Sequence, residues 1–214
     1  MFDFLLQKIR SLCYKIDDLS AVLHINNIHI CGVTETWLES DIPNEIVDIE
    51  GFVCHRRDRS DGRRAGGVAC YVANELPAIR LQSLESPDIE SLWLLLRKPV
   101  MPRQISHILI GMICHPPGAD SFCMSNHIIN NIDAVLQEHP YAGVIILSDF
   151  NTMNDKPLRD YPLKQVVSKP TRGAVTLDKI YSNIADWYLQ PSNLPNIATS
   201  DHHPLYSNQK LHTT

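Results

Sequence analysis

The stretch Val144-Ile145-Ile146-Leu147-Ser148-Asp149-Phe150-Asn151-Thr152 decides the fold, because it changes from apolar to polar within the length of one strand. Its first half is an unbroken apolar run, which is typical of a strand buried on both faces. Asp149 and Asn151 stand two residues apart, so alternation along a strand directs both side chains to the same side. Such a pair can orient a hard cation, a water or a phosphate oxygen. The alternative is an ordinary turn after a core strand, since Asp and Asn favour turns.

Size and composition indicate an ordinary globular protein. The chain has 214 residues, of which 44% are hydrophobic and 20% charged, and this size fits one domain spanning residues 1–214. There is no apolar run of about eighteen residues, so we expect no membrane span. The N-terminus lacks the positive charge and the long apolar run of a signal peptide. We therefore expect an intracellular protein, nuclear or cytoplasmic and not secreted.

The cysteines and the net charge limit the kinds of functional site that the chain could contain. The six cysteines form no C-x-x-C pair and no zinc-binding spacing, and four of them lie in apolar stretches, at Cys31, Cys54, Cys70 and Cys114. We expect reduced, mostly buried thiols. The formal charge of −5 argues against general electrostatic binding of nucleic acid. It remains compatible with an acidic site that carries a divalent cation to a phosphate.

Apolar periodicity predicts many strands and only two substantial helices. The helices are predicted at 9–26 and 125–137. The strands are predicted at 2–6, 28–35, from 52, 65–72, 89–96, 105–114, before Asp149, 165–167, 177–182 and after 205. This pattern favours two mostly antiparallel sheets packed face to face, with the helices outside, in an α/β sandwich. The strand ends then supply loops to one rim.

Polar side chains end or closely follow the apolar strands in four places. They are Glu35, Asp149 with Asn151, Asp178, and Asp201 with His202. Each has an ordinary explanation: Glu35 could cap a helix, Asp178 could pair with Lys179 or Arg172, and the last pair could be a loop. Their order and type together favour a functional site: Glu, then Asp-x-Asn, then Asp within TLDKIY, then Ser-Asp-His.

This series resembles the exonuclease–endonuclease–phosphatase superfamily, and more closely the endonuclease domain of non-LTR (LINE-like) retrotransposons. The resemblance covers nearly the whole chain. Its landmarks are TETWL at 34–38, GGVACYV at 66–72, HPP at 115–117, LSDFNT at 147–152, PTRG at 170–173 with TLD at 176–178, and SDHHPL at 200–205. The resemblance implies a four-layer α/β sandwich of the DNase-like type, with the site on one rim.

The resemblance also implies metal-dependent hydrolysis of a phosphodiester in duplex DNA. Glu35 would be the principal ligand of a hard divalent cation, Mg²⁺ with Mn²⁺ as the alternative, and Asp201 would sit near the metal. The cation would offset charge developing on the phosphate and on the leaving 3′ oxygen. In the retrotransposon setting the reaction is a nick that exposes a 3′-hydroxyl for reverse transcription.

Four further residues receive roles from the same resemblance. Asp149 would align or deprotonate the attacking water, and Asn151 would hold the scissile phosphate. His202 would contact a phosphate oxygen or act as a general acid–base. Asp178 would bind the other ring nitrogen of His202 and fix its tautomer.

Three positions depart from the family pattern. Lys8 stands where an Asn is usual ahead of Arg-Ser-Leu, and its charge could compete with the cation. Cys114 replaces a Tyr before HPP and is a poor hydrogen-bond donor. Ser148 replaces a Gly and adds a Cβ where the backbone approaches closely. Lys8 and Cys114 are therefore doubtful replacements at the site.

An arginine-rich segment at 55–64, HRRDRSDGRR, contains five arginines. A solvated turn is one interpretation. The other is a loop that tracks DNA phosphates, with Arg56, Arg57, Arg59 and also Arg172 as substrate-binding residues. Trp37 and Trp93 are interpreted as core anchors.

Two alternatives to the nicking endonuclease stay open. One is a phosphatase of the same superfamily that acts on an inositol phosphate or nucleotide. The other is a weakened or inactive remnant that keeps the fold and binds DNA or protein. We expect a monomer. No reverse-transcriptase segment follows Thr214, so we expect an isolated domain or a fragment of a longer polyprotein with a reverse transcriptase.

Overall fold

The computed structural model describes residues 2–59, 65–97 and 104–210. The strands are β1 (Phe4–Lys8), β2 (Ile30–Thr34), β3 (Phe52–Arg57), β4 (Val68–Ala73), β5 (Ala78–Arg80), β6 (Glu90–Leu96), β7 (Ile108–Cys114), β8 (Gly143–Asp149), β9 (Lys164–Gln165), β10 (Asp178–Ser182), β11 (Ser192–Asn193) and β12 (Leu205–Ser207). The α-helices are α1 (Ile16–Ile25), α2 (Ser121–Glu138) and α3 (Lys156–Asp160). None of these helices is both long enough and apolar enough to cross a membrane.

The strands of the described ranges form two six-stranded sheets. The first sheet has the order β11-β12-β1-β2-β4-β3, and the second has the order β5-β6-β7-β8-β10-β9. Each sheet is antiparallel except for one pair, β1 with β2 in the first and β7 with β8 in the second. Parallel neighbours need a long crossover, and α1 and α2 lie within those two connections.

Within the part of the chain that the structure describes, three apolar clusters separate four layers. The central cluster fills the space between the sheets and includes Leu6, Met112 and Leu147. A second cluster packs α1 against the outer face of the first sheet, and a third packs α2 and α3 against the outer face of the second. The four-layer α/β sandwich expected from the sequence motifs is confirmed.

Alternation along β8 determines where its terminal aspartate lies. Ile145 and Leu147 belong to the cluster between the sheets, whereas Val144 and Ile146 belong to the cluster beneath α2. Because side chains alternate along a strand, Asp149 continues the inner row. Its carboxylate therefore ends up between the two sheets, at one rim of the sandwich.

Alternation along β1 places the basic side chain of Lys8 between the two sheets as well. Phe4 and Leu6 of β1 point into the central cluster, so Lys8 at the end of that strand also faces the second sheet. The predicted strand at 2–6 is two residues too early, since the observed strand is Phe4–Lys8. This shift includes Lys8 in the strand and fixes the direction of its side chain.

The first helix is shorter than predicted. The periodic pattern indicates 9–26, but α1 begins at Ile16. Arg10 and Ser11 have φ of 51° and 69°, which a right-handed helix does not allow. Ile9 and Leu12 are buried in the cluster with α1, so they mimic the helical pattern from an irregular segment.

Other element boundaries differ less. The second helix begins at Ser121 rather than 125, because Asp120 caps it by accepting hydrogen bonds from the backbone N–H groups of Phe122 and Cys123. The sequence pattern did not predict α3, β5 or β11. These elements have two to five residues, and such short segments carry too little periodicity to predict.

Replacing Leu147 with Ala should lower the free energy of unfolding by about 2–5 kcal/mol, because it leaves a cavity between the sheets. The matched control is Leu189→Ala, since Leu189 is 46% exposed and its truncation should change stability by less than about 0.5 kcal/mol. Urea unfolding of both variants measures the difference. Equal losses would contradict the assignment of Leu147 to the central core.

Candidate active site

Strand register assembles one row of side chains across the second sheet. Glu90 is paired with Cys114, Cys114 with Asp149, and Asp149 with Asp178. In the first sheet Lys8 is paired with Thr34. The chemistry-bearing ends of several distant segments therefore lie side by side at one rim.

An ion pair joins the two sheets at this rim. Lys8 Nζ lies 2.6 Å from Asp149 Oδ2, and the two side chains are 6% and 0% exposed. The hydroxyl of Ser200 donates to the Lys8 carbonyl at 2.7 Å, which holds the end of β1. Burial and the neighbouring Asp178 raise the pKa of Asp149 above its usual value, although Lys8 opposes them.

Asn151 fixes the second carboxylate oxygen of Asp149. The backbone N–H of Asn151 donates to Asp149 Oδ1 at 3.2 Å, and its side-chain amide donates to the carbonyl of His115 at 2.8 Å. Asn151 has a φ of 45°, a left-handed conformation that Asn tolerates better than most residues. The Asp-x-Asn unit is thus a constrained turn, and it also belongs to the group of polar residues at this rim.

The predicted Asp–His pair is present. His202 Nδ1 lies 2.6 Å from Asp178 Oδ2, and the two side chains are buried. Donation from Nδ1 to the carboxylate fixes the orientation of the ring. Among the described residues, His202 Nε2 is buried and has no hydrogen-bond partner. A buried nitrogen without a partner is costly, so this atom is suited to a ligand.

Thr171 positions both members of that pair. Its hydroxyl oxygen accepts hydrogen bonds from the backbone N–H groups of Leu177 and Asp178, each at 3.1 Å. Its carbonyl accepts one from His203 N at 2.9 Å. The PTRG landmark contains this residue, but its positioning role depends on contacts that the sequence does not display.

Glu35 lies on a strained loop that follows β2 of the first sheet. Its Oε2 accepts hydrogen bonds from Trp37 Nε1 at 2.7 Å and from Gly66 N at 3.0 Å. Glu35 and Trp37 have φ of 57° and 54°, a conformation that costs energy in non-glycine residues and is common at functional sites. The thiol of Cys114 lies 4.0 Å from Glu35 Oε1. Oε1 has only this weak contact, so it is the carboxylate oxygen of Glu35 that a ligand could bind.

The interpretation of Trp37 as a core anchor is wrong. Its side chain is 40% exposed, whereas Trp93 is fully buried as predicted. The exposed indole holds Glu35 through its N–H group. Nothing in the local pattern distinguishes this tryptophan, because its environment is created by the positive-φ turn.

The glycine pair Gly66-Gly67 approaches the site closely. Gly66 N donates to Glu35, and Gly67 N donates to Glu90 Oε2 at 2.9 Å. Gly67 has a φ of +82°, and a Cβ there would lie 2.5 Å from Thr36 Oγ1. The two amides therefore orient two carboxylates of the rim, which a bulkier residue would prevent.

Among the described residues, three could hold a metal ion at the rim. Glu35, Cys114 and Asp149 each offer one ligand atom, and these atoms lie within 4.8 Å of one another. Carboxylate oxygens suit Mg²⁺ or Mn²⁺. Burial raises the pKa of the Cys114 thiol well above its usual value, so it stays protonated and is a poor ligand. The group thus fits a cation bound chiefly by Glu35, with Asp149 already paired to Lys8.

Asp201 lies outside this group. Its carboxylate pairs with Arg172 Nε at 2.9 Å and with Arg10 Nη1 at 3.3 Å. Burial raises the pKa of Asp201, but Arg10, His202 and Arg172 outweigh this effect and lower it overall. The structure therefore shows Asp201 as the partner of two guanidinium groups rather than as one of the clustered potential ligands.

The four predicted substrate-binding arginines all contact carbonyl or carboxylate oxygens of the chain itself, and Arg172 does so through Asp201. Arg56 donates to two backbone carbonyls and to Asp58, so its guanidinium has a structural role. Arg57 donates to backbone carbonyls, and Arg59 pairs with Glu90. Residues 60–64, which include the last two arginines of this segment, lie outside the described residues.

A cavity of about 550 Å³ adjoins the row of strand ends. Arg57 and Arg59 line it together with Glu90, and Ile89 and Met124 form part of an apolar wall. Because Glu90 also lies in register with Cys114, the cavity extends from the cluster along the rim. Its lining also includes Asp58, Asp88 and Asp120, so its acidic side chains outnumber its two arginines.

Comparisons with known proteins agree with this architecture. Residues 6–202 match the sequence model of the Endonuclease/Exonuclease/phosphatase family. No curated protein sequence matches the chain. The endonuclease domain of TRAS1, a telomere-specific non-LTR retrotransposon, superposes with a TM-score of 0.77 at 12% identity, covering 98% of each chain.

Two further structures share the fold. The AP endonuclease LMAP from Leishmania major has a TM-score of 0.70 at 12% identity, covering 96% of this chain and 86% of its own. The 3′ phosphatase NExo from Neisseria, bound to a product DNA hairpin, has a TM-score of 0.68 at 13% identity, covering 98% of this chain and 100% of its own. At such identities the likeness establishes the fold alone.

Replacing Lys8 with Met should lower the free energy of unfolding by about 3–5 kcal/mol, because Asp149 then stays buried without its partner. The double variant Lys8→Met/Asp149→Asn removes both charges and should be more stable than the single variant. Chemical unfolding at neutral pH without divalent cations measures both. A single variant as stable as the double one would contradict the ion pair.

Proposed function

Because the chain belongs to the Endonuclease/Exonuclease/phosphatase family, we propose that it is a metal-dependent endonuclease that nicks duplex DNA, as retrotransposon endonucleases do. The observation that carries the proposal is the buried Asp178–His202 pair beside Asp149. This pair leaves His202 Nε2 without a partner among the described residues. A buried, oriented imidazole next to a carboxylate is suited to hydrolysis of a phosphate ester.

Asp149 would act on the attacking water. Its pKa is raised by burial and by Asp178, and a base whose pKa lies closer to neutral pH transfers protons more effectively. Its two oxygens are held by Lys8 and by the backbone N–H of Asn151. The carboxylate is therefore oriented before a substrate arrives.

His202 would contact the phosphate. A proton on Nε2 would donate to a phosphate oxygen and pass to the leaving 3′ oxygen, which leaves the ring neutral. Asp178 would stabilise the positive charge that the ring carries before this transfer. Asn151, held by His115, would position the scissile phosphate. When bound at Glu35, a divalent cation such as Mg²⁺ supplies positive charge that offsets the charge developing on the phosphate.

DNA as the substrate is supported by the shared fold, and arginines near the rim could contact its phosphates. Arg57 and Arg59 line the adjoining cavity, and Arg10 and Arg172 surround Asp201. Arg57 is paired with Glu85, Arg59 with Glu90, and both Arg10 and Arg172 with Asp201. Contact with DNA phosphates would therefore exchange a carboxylate partner for a phosphate. The fold is shared with endonucleases of a retrotransposon and of Leishmania.

Specific observations favour two other functions. The 3′ phosphatase NExo has the same fold, which favours a phosphatase that removes terminal phosphates. The Lys8–Asp149 pair and the neutral Cys114 thiol favour a weakened or inactive remnant, because both occupy positions where cation or phosphate ligands are expected. Plasmid nicking distinguishes these functions.

The purified chain should nick supercoiled plasmid with Mg²⁺ and not with EDTA. His202→Ala should lower the nicking rate about 10²–10³-fold, the usual effect of losing one transition-state donor. The neighbouring His203 is exposed, so His203→Ala is the matched control and should retain the wild-type rate.

Other outcomes identify the alternatives. Release of inorganic phosphate from a 3′-phosphorylated oligonucleotide without plasmid nicking would identify a phosphatase. Neither activity from the folded chain, but nicking by Lys8→Asn/Cys114→Tyr, would identify an inactive remnant. Nicking that His202→Ala and His203→Ala both retain would refute the assigned role of His202.

Trp37→Phe should raise the Mg²⁺ concentration needed for half-maximal nicking about 10–100-fold. It removes the indole N–H that orients Glu35, and partners of metal ligands contribute on this scale. Trp37→Ala is the comparison, because it removes the same hydrogen bond together with the ring. A wild-type Mg²⁺ requirement in Trp37→Phe would show that the hydrogen bond does not support cation binding.

A further inference from the structure

A lysine side chain lies among the groups that could bind the cation. Lys8 Nζ is 2.6 Å from Asp149 Oδ2, and Asp149 is one of the three clustered potential ligands. The Lys8 side chain is only 6% exposed. The ammonium is therefore part of the site, rather than a surface charge that solvent could screen.

The backbone keeps this ammonium in place. Lys8 is the last residue of β1 and is paired with Thr34 of β2. Its carbonyl accepts hydrogen bonds from the Ser200 hydroxyl, at 2.7 Å, and from the Gln7 side-chain amide. With the strand end held from two sides, the ammonium can leave Asp149 only by a rearrangement of its own side chain.

The remaining potential ligands cannot compensate for the loss of Asp149. Cys114 offers a buried sulfur, a soft donor that hard divalent cations disfavour, which leaves Glu35 as the carboxylate free for a cation. Like charges brought together in a poorly solvated site repel strongly. A divalent cation bound between Glu35 and Asp149 would have to displace the ammonium or lie next to it.

We propose that Lys8 competes with the divalent cation for Asp149, so that the site binds Mg²⁺ or Mn²⁺ weakly and is electrostatically satisfied without either. The inference rests on the proposed function only in taking a divalent cation as the ligand of the site. Lys8 thereby sets the cation concentration at which Asp149 becomes a ligand. The free protein is also stable without a cation, since Asp149 already has a partner.

Titration with Mn²⁺ in the absence of DNA tests this competition. Calorimetry and thermal unfolding should show that Lys8→Met binds Mn²⁺ about 10–100-fold more tightly than the wild type, a change typical of a group adjoining a metal ligand. The melting temperature of Lys8→Met should rise with Mn²⁺ much more than that of the wild type. The cation then replaces the partner that Asp149 has lost.

Two controls separate charge from packing. Lys8→Arg keeps the positive charge and should bind Mn²⁺ as weakly as the wild type. Glu35→Gln added to Lys8→Met removes the principal ligand and should abolish the gain. If Lys8→Met does not fold without a cation, Lys8→Asn offers a polar replacement on which the same comparison is made.

The result that overturns the proposal is equal or weaker Mn²⁺ binding by the uncharged variants. A gain that Lys8→Arg shares would also overturn it, because the cause would then be packing. The outcome is independent of nicking. Tighter Mn²⁺ binding by Lys8→Met supports the competition even if no variant cleaves DNA, and nicking by a wild type that binds Mn²⁺ tightly would retain the proposed function while refuting the competition.

Discussion

The ion pair between Lys8 and Asp149 is the contact on which the organisation of the rim depends. Most of the space between the sheets is filled by apolar side chains, and this packing ends where the two central strands reach the rim. A buried ion pair tolerates desolvation only when its remaining polar atoms are also bonded. Here the backbone N–H of Asn151 donates to the second oxygen of Asp149, and the Ser200 hydroxyl donates to the backbone carbonyl of Lys8. The polar cluster therefore closes the sandwich while it remains available to a ligand.

The cluster follows from a simple constraint on doubly covered sheets. Strands with apolar layers on both faces can carry polar side chains only near their ends, because an unpaired polar group in the core is costly. Parallel and antiparallel register then determines which ends meet. In the second sheet it aligns Cys114, Asp149 and Asp178, although they are far apart in sequence. The chemistry of the rim is thus a consequence of topology, and the loops supply Glu35 and His202 opposite it.

The four layers and most of the polar residues at the rim could be predicted, because the strand ends and the order of the motifs can be identified in the sequence. The prediction failed where backbone conformation departs from regular structure. Ile9 and Leu12 fit a helical pattern, yet the positive φ of Arg10 prevents a helix there. The sequence predicts Trp37 to be a core residue, although a turn exposes it and directs its N–H to Glu35. The partners of Asp201 come from distant segments, so its pairing could not be predicted without register.

The residue at position 8 links stability to chemistry. A neutral carboxamide there would leave the buried charge of Asp149 to be balanced by a bound cation, so that an empty site would cost stability. A lysine that pairs with Asp149 removes this penalty, but it lowers the advantage of binding a cation by a comparable amount, since both depend on the same carboxylate. The folding stability of this chain therefore depends less on a bound metal than does the hydrolysis expected at its site. Natural proteins often show such an opposition between a stable site and an active one.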